Sequence, residues 1–315
     1  RFPERTAVFT GNAVANPWMV AVNDRLGFVP FEAETPYVRS VPHGIRWSVT
    51  CARARWPNAS EEGVVGFAAQ QAPAQSCSID WDRHEVPAWG TATHAEVVIA
   101  LEQNGPWGKD AVTESHLDPE LGTRLDAHVR HLGGRLLLIR RSGRHAEQVD
   151  GARQCLVART GPAGWLVTAE LSDPAVLLSL TAAALAGAEP TAAMLSGSVA
   201  STPELLVCTN GRRDACCAVR GRPLALAAAA SHPGRVWEVT HTGGHRFAPT
   251  AILLPWGRIL ARLDPLLADR VLVAASHGHL AAEALGPRHD RGAMHMTPRE
   301  QAIEAFLRQE WASPT

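Results

Sequence analysis

The stretch that most constrains this chain runs from Cys208 to His245. An apolar run, Glu204 to Val207, ends on Cys208. The polar loop Thr209-Asn210-Gly211-Arg212-Arg213-Asp214-Ala215 follows and is closed by Cys216 and Cys217. A second apolar run, Val236 to Val239, leads into His241-Thr242-Gly243-Gly244-His245. Thiolates suit iron–sulfur clusters, and neutral imidazole suits iron and zinc. Two sulfur donors and two imidazoles just past the ends of two predicted strands therefore read as a [2Fe-2S] site with mixed Cys and His ligation. Eight residues separate Cys208 from Cys217, enough for a loop to bring both sulfurs to one iron. Gly211 lets that loop turn tightly. Asp214 is placed to cap the helix that follows, whose N-terminus would face the centre and stabilise its negative charge. Arg212 and Arg213 either add positive charge nearby or are simply solvated. His241 and His245 have helical spacing, but each glycine between them costs about 1 kcal/mol in a helix. A loop that approaches a bulky inorganic ligand is expected instead, with Phe247 and Pro249 shielding its far side.

Imidazole in place of thiolate lowers the negative charge of a cluster. It favours the reduced form and raises the potential by hundreds of millivolts over all-Cys plant-type ferredoxins. An exposed ring N–H can also exchange a proton on reduction, so a pH-dependent potential is expected between about pH 6 and 9. The order of ligands, cysteines first and histidines later, is not the Rieske order. A Cys2His2 set also fits tetrahedral zinc. A third reading, a thiol oxidoreductase using Cys216 and Cys217, is disfavoured because that chemistry wants Cys-x-x-Cys.

The 315 residues favour two domains or one large one, and 46% hydrophobic residues suffice for a sizeable core. A net charge of -1 gives no sign of a nucleic-acid or acidic-membrane partner. Of the 30 basic residues only Lys109 is a lysine, a bias that reads as genomic rather than functional. Six cysteines are too few for a disulfide scaffold. No apolar stretch approaches a membrane span, and the visible N-terminus lacks signal-peptide shape. A soluble, cytoplasmic protein is expected.

Residues 1–75 show no clear period around Phe2, Trp18, Trp47 and Trp56, and read as an appended, poorly ordered segment. Regular patterning begins at Cys77. In the first half, 76–190, Ala95 to Leu101 is a strand and 118–132 a helix stopped by Gly133-Gly134. Arg135 to Ile139 is a second strand, 154–158 and 165–170 form a hairpin, and a helix covers Pro174 to Leu185. In the second half, 200–315, Leu205 to Cys208 is a strand. Its helix is broken at Gly221-Arg222, restarts at Pro223 and runs to Ser231. Val236 to Val239 is the next strand, and 250–254 with 258–263 form a hairpin. Helices follow at 265–275 and 298–311, the last with a capping box from Thr297 and Glu300. The order repeats, and "EQNG" after the first strand matches "CTNG" in the second half. The expected fold is α/β, two related units with thioredoxin-like element order, and only the second carries ligands.

"CTNGRRDACC", "GRPLA" and "HTGGHRFAPT" with a following "LLP" resemble the sucrase/ferredoxin-like family, as do "GPWG" and "LLLIRRSGR" in the first half. The resemblance covers roughly residues 76–310. It implies a thioredoxin-like ferredoxin domain whose [2Fe-2S] cluster has one iron on Cys208 and Cys217 and the other on His241 and His245. Cys216 is then a neighbour rather than a ligand. Despite the family name, no pair of carboxylates suited to glycoside hydrolysis stands out. No nucleotide fingerprint or nucleophile–base arrangement is legible either. An electron carrier serving an unidentified redox partner protein is expected, rather than an enzyme. Cys51, Cys77 and Cys155 are read as inert. Trp107 and Trp256 are read as turn packing, and Arg140 and Arg141 as solvated. His277, His279, His289 and His295 have no metal-ligand spacing.

Overall fold

The structure is a computed structural model that describes residues 7–10, 37–40, 77–143 and 151–312. The chain divides into two units, residues 1–69 and 70–315. In the first, β1 (Ala7–Thr10) pairs antiparallel with β2 (Tyr37–Ser40), Ala7 opposite Ser40. Phe2, Trp18, Trp47, Cys51 and Trp56 lie outside the described residues, and so does the expectation of poor order there.

The second unit is mixed α/β. After α1 (Cys77–Arg83) come β3 (Val97–Glu102), the short α2 (Ala111–Glu114), α3 (Pro119–His131) and β4 (Gly134–Arg140). Next are the hairpin β5 (Arg153–Arg159) and β6 (Trp165–Leu171), then α4 (Ala188–Met194) and β7 (Ser198–Val199). The second half opens with β8 (Glu204–Cys208), α5 (Ala215–Ser231) and β9 (Val236–Val239). The hairpin β10 (Ala251–Leu254) and β11 (Arg258–Leu260) precedes α6 (Pro265–Ser276), β12 (Asp290–Ala293) and α7 (Pro298–Ala312).

One ten-stranded sheet holds these strands in the order β12-β11-β10-β8-β9-β4-β3-β5-β6-β7. Read outward from its middle, the first half runs β4, β3, β5, β6, β7 and the second β9, β8, β10, β11, β12. Each half begins with a parallel pair, β3 with β4 and β8 with β9, joined by a helix. Each continues into an antiparallel hairpin. The halves meet where β4 and β9 pair antiparallel, Ile139 opposite Val239 and Arg140 opposite Glu238. The repeat seen in the sequence is therefore a repeat of topology inside one sheet.

The central strands are buried on both sides, which explains their continuous apolar runs. Leu125 and Val129 of α3 pack on Val97, Ile99 and Leu101 of β3 and on Leu136 and Leu138 of β4. Leu224, Ala225 and Ala228 of α5 pack on Leu205, Val207 and Val236, together with Val271 and Leu272 of α6. The opposite face forms a core shared by both halves, with Val98, Leu137, Ile139, Leu206, Cys208, Trp237, Val239 and Ile252 in it. The sheet curls over this core. Each large side chain buried there contributes roughly 1.5–3 kcal/mol.

Several expectations need correction. The helix after Cys208 is not broken: α5 is continuous, with Pro223 inside it. Gly221 is there because a Cβ would stand 2.1 Å from the Cys208 carbonyl oxygen, so the helix lies directly on the end of β8. Pro223 deprives the Val219 carbonyl of its helical donor, but Val219 is 69% exposed, where water can donate instead. The expected helix over 174–185 is two 3-10 turns, Pro174–Ser179 and Ala184–Ala186, followed by α4. Arg140 is not solvated. It is buried, and its guanidinium donates to Glu238 Oε2 at 2.9 and 3.0 Å. Arg141 is exposed but stacks on Trp237. His289 and His295 flank β12 and are half-buried.

Candidate metal centre

Three backbone features bring the donors together. Cys208 ends β8, opposite Val239 of the parallel neighbour β9. Its N–H donates to the Thr250 carbonyl at 2.9 Å, which locks the strand end. The chain then turns through 209–214, with the Arg213 N–H on Asn210 Oδ1 at 3.3 Å and the Asp214 N–H on the Asn210 carbonyl at 3.1 Å. A Cβ at Gly211 would stand 2.6 Å from that of Ala218, so this loop folds tightly against α5. Asp214 is the N-cap, accepting from the Cys216 N–H at 3.0 Å. Cys217 falls in the first helical turn, 1% exposed, at the positive end of the helix dipole.

From the other side β9 delivers His241. The Arg135 guanidinium donates to its carbonyl at 2.7 Å. Its Nδ1 lies 3.8 Å from Cys217 Sγ. Ligand atoms of Cys208, Cys217 and His241 all lie within 4.8 Å of one another, and this is the one group of that kind among the described residues. His245 stands apart from the other three. Its ring centroid is 6.3 Å from that of His241, and its Nδ1 is 2.9 Å from Asp214 Oδ2. Asp214 thus serves twice, as helix cap and as partner of the histidine. That bond leaves His245 Nε2 to act as a ligand, the usual arrangement when a carboxylate orients a metal-binding imidazole.

The loop between the histidines is irregular, with Gly243 at φ +82° and Gly244 at φ +70°. Buried Arg291 holds it by donating to the Gly243 carbonyl at 2.8 Å, to Thr91 Oγ1 at 3.0 Å and to the Thr91 carbonyl. A Cβ at Gly244 would stand 2.6 Å from this guanidinium, so the left-handed conformation and the close approach both require glycine.

The electrostatics favour a thiolate at Cys208. A hydrogen bond from the Cys217 thiol, helped by His241 and by the Thr242 N–H, holds Cys208 well below the usual thiol range despite its burial. Cys217 is pushed up in turn by that same hydrogen bond and by burial, so the pair shares one proton. Burial also lowers His245, which favours the neutral ring a metal needs. Burial and Arg246 bring Arg291 down to about 9, leaving it cationic at neutral pH. Arg135 and Arg291 both feel the Cys208 charge and would offset negative charge on a bound centre.

Cys155, by contrast, is fully buried, and burial alone pushes its thiol up to about 12, which leaves it inert. Cys216 is buried on α5 beside the group and is not part of it. Sequence reasoning missed Arg135 and Arg291, which no local signal marks, and the bond from Asp214 to His245. Two thiols and two imidazoles around a loop without side chains at Gly243 and Gly244 fit an iron–sulfur cluster in donor chemistry. The spacing of the first three donors also fits a single tetrahedral ion.

Among the described residues, no helix is long and apolar enough to cross a membrane. The sequence profile of the sucrase/ferredoxin-like family matches residues 88–282, a span that includes all four proposed ligands. No curated protein and no solved structure matches the chain.

Proposed function

The chain belongs to the sucrase/ferredoxin-like family, and from that premise we propose that it is a [2Fe-2S] electron-transfer protein. Cys208, Cys217, His241 and His245 would hold the cluster, the cysteines on one iron and the histidines on the other. The bound cluster supplies a single reversible electron at a potential raised by its imidazole ligands. The protein's own part is structural and electrostatic. The hydrogen bond from Cys217 favours the thiolate form of Cys208, Asp214 fixes the His245 tautomer, and Arg135 and Arg291 balance charge.

We read the two halves as thioredoxin-like units, the second a ferredoxin domain, on the strength of their shared strand order. The electron would pass to or from a redox partner protein, with no role for nucleic acid or membrane. The reading also places the chain in the cytoplasm, where thiols stay reduced.

The observation that carries this proposal is the convergence of Cys208, Cys217 and His241 from three separate segments. The same compactness favours one other reading, a structural zinc ion on Cys208, Cys217 and His241 with His245 as fourth ligand. Absorption spectra and elemental analysis of anaerobically purified protein separate the two. A red-brown protein with iron and sulfide in equal amounts supports the cluster. A colourless protein with one zinc supports the structural ion and removes the redox role.

A further inference from the structure

A cavity of about 580 Å³ opens beside His241, where the first half faces the loop that follows Cys208. Lys109 and Asp110 line it from the segment leading into α2, Asp126 and Arg130 from α3, Arg135 from β4, and Arg213 and His241 from the second half. Arg130 is neutralised by Asp126 at 2.7 Å. The Asp110 carboxylate accepts the Val112 N–H at 3.2 Å. Lys109 and Arg213 make no ion pair among the described residues. Arg135 makes one hydrogen bond, to the His241 carbonyl, which leaves most of its five N–H donors for something else.

Apart from the Arg130–Asp126 pair, three cations therefore face this cavity with one carboxylate, Asp110, among them. Positive charge in a recess with low-dielectric walls concentrates the field and draws in anions. The volume lies within the range of small-molecule sites, roughly 300–1,000 Å³. A guanidinium with open donors is also the side chain best suited to grip a carboxylate or phosphate in two places. We propose that this cavity binds a small organic anion carrying a carboxylate or phosphate, held by Arg135 inside and by Lys109 and Arg213 at the mouth, against His241. The cations that line the cavity belong to the chain and not to the centre, so binding here and the identity of the centre are measured separately.

Calorimetric titration of the full chain with citrate, pyrophosphate and inorganic phosphate, at ionic strength fixed with sodium chloride, tests this. Saturable one-to-one binding of at least one of them is expected. Arg213→Glu and Lys109→Glu should each weaken it roughly tenfold or more. Arg270→Glu, whose guanidinium pairs with Glu283 elsewhere, should leave it unchanged. Thermal melting of each variant shows that the fold is intact. No saturable binding of any of the three anions overturns the proposal, and so does binding that both cavity reversals leave untouched. An oligoglutamate peptide that binds where none of the small anions does overturns it as well, and makes the recess a docking point for an acidic protein segment.

Discussion

Glu102 and Cys208 occupy the same place in the two halves. Each is the last residue of its strand, Glu102 opposite Ile139 and Cys208 opposite Val239. Each is followed by a residue whose N–H donates to that opposite carbonyl, Gln103 at 2.8 Å and Thr209 at 3.1 Å. Past that point the halves differ. After Glu102 a long connection carries Trp107, buried with its Nε1–H on the Gln103 carbonyl at 2.8 Å and Arg140 stacked on its ring, and α3 starts only at Pro119. After Cys208 the loop is short and α5 starts at Ala215, so its first turn carries Cys217 back to the strand end. Beyond the second strand the first half has Arg141 on the Trp237 ring, where the second half has His241. One topology thus carries ordinary packing in one copy and a cluster of soft donors in the other. The difference lies in one loop length and in the side chains at two strand ends.

The sharpest way to break this comparison is to exchange its end residues. Cys208→Ser should strip the protein of its metal centre, by at least the roughly 100-fold that outer-layer changes reach. Glu102→Gln, which keeps an acceptor for the Gln154 N–H and removes a charge felt by Arg141 and Arg153, should leave metal content unchanged. Equal metal loss in both variants, read by elemental analysis, would mean that the halves are not divided in this way.

The next largest effect falls on the seam. The Arg140–Glu238 pair is buried where β4 meets β9, and Thr209 Oγ1 also donates to Glu238 Oε2 at 2.9 Å. Arg140→Ala removes the guanidinium that donates to buried Glu238 and should cost about 3–5 kcal/mol in urea unfolding. A loss under about 1 kcal/mol would place the pair among weakly contributing surface bridges.

Smaller effects come from two glycines that do the same job in the two helices. A Cβ at Gly122 of α3 would stand 2.4 Å from the Val112 carbonyl oxygen, and one at Gly221 of α5 would stand 2.1 Å from that of Cys208. Either alanine variant should destabilise the fold by about 1–3 kcal/mol. Only Gly221→Ala should also lower metal content, because only there does the displaced backbone belong to a proposed ligand.

The smallest predicted effect is that of pH. Burial holds the His289 and His295 imidazoles below the ordinary histidine value. Such a histidine contributes its full stability above the unfolded value, about 6.5. That contribution is lost as pH falls through the lower folded value, because the unfolded chain takes up the proton first. Protection of the amides in β10, β11 and β12, corrected for the intrinsic slowing of exchange in acid, should therefore fall below about pH 6.5 before that of β3 to β6 does. The effect should shrink in His289→Gln, whose parent ring bonds the Ala261 carbonyl at 3.0 Å. Protection that fell equally in both halves would contradict it.

The local signals in the sequence were reliable where local physics decides the outcome. Helix α3 begins after the Asp118 cap and ends before Gly133 at φ +71°, as its spacing and glycines suggested. The Thr297 and Glu300 capping box forms in both directions, at 2.7 and 3.4 Å. Tertiary contacts were not legible. Gly221 looked like a helix breaker because nothing nearby reveals that the Cys208 carbonyl lies against it. Strand β12 was missed because it is built from Asp290 and Arg291, buried charges held by Arg258 and by the loop of Gly243. An apolar pattern cannot announce such a strand. Of the candidate ligands, the structure brings Cys208, Cys217 and His241 together. It ties His245 to Asp214 instead, a contact that the capping role of Asp214 alone did not suggest.

Mössbauer spectroscopy of protein enriched in iron-57 tests most directly whether the second half holds a diiron centre with unlike ends. Two quadrupole doublets of equal area, one from iron bound by thiolates and one from iron bound by imidazoles, are the predicted result. A single doublet from two equivalent irons would contradict the division of cysteines on one iron and histidines on the other, and a spectrum without protein-bound iron would contradict the cluster itself.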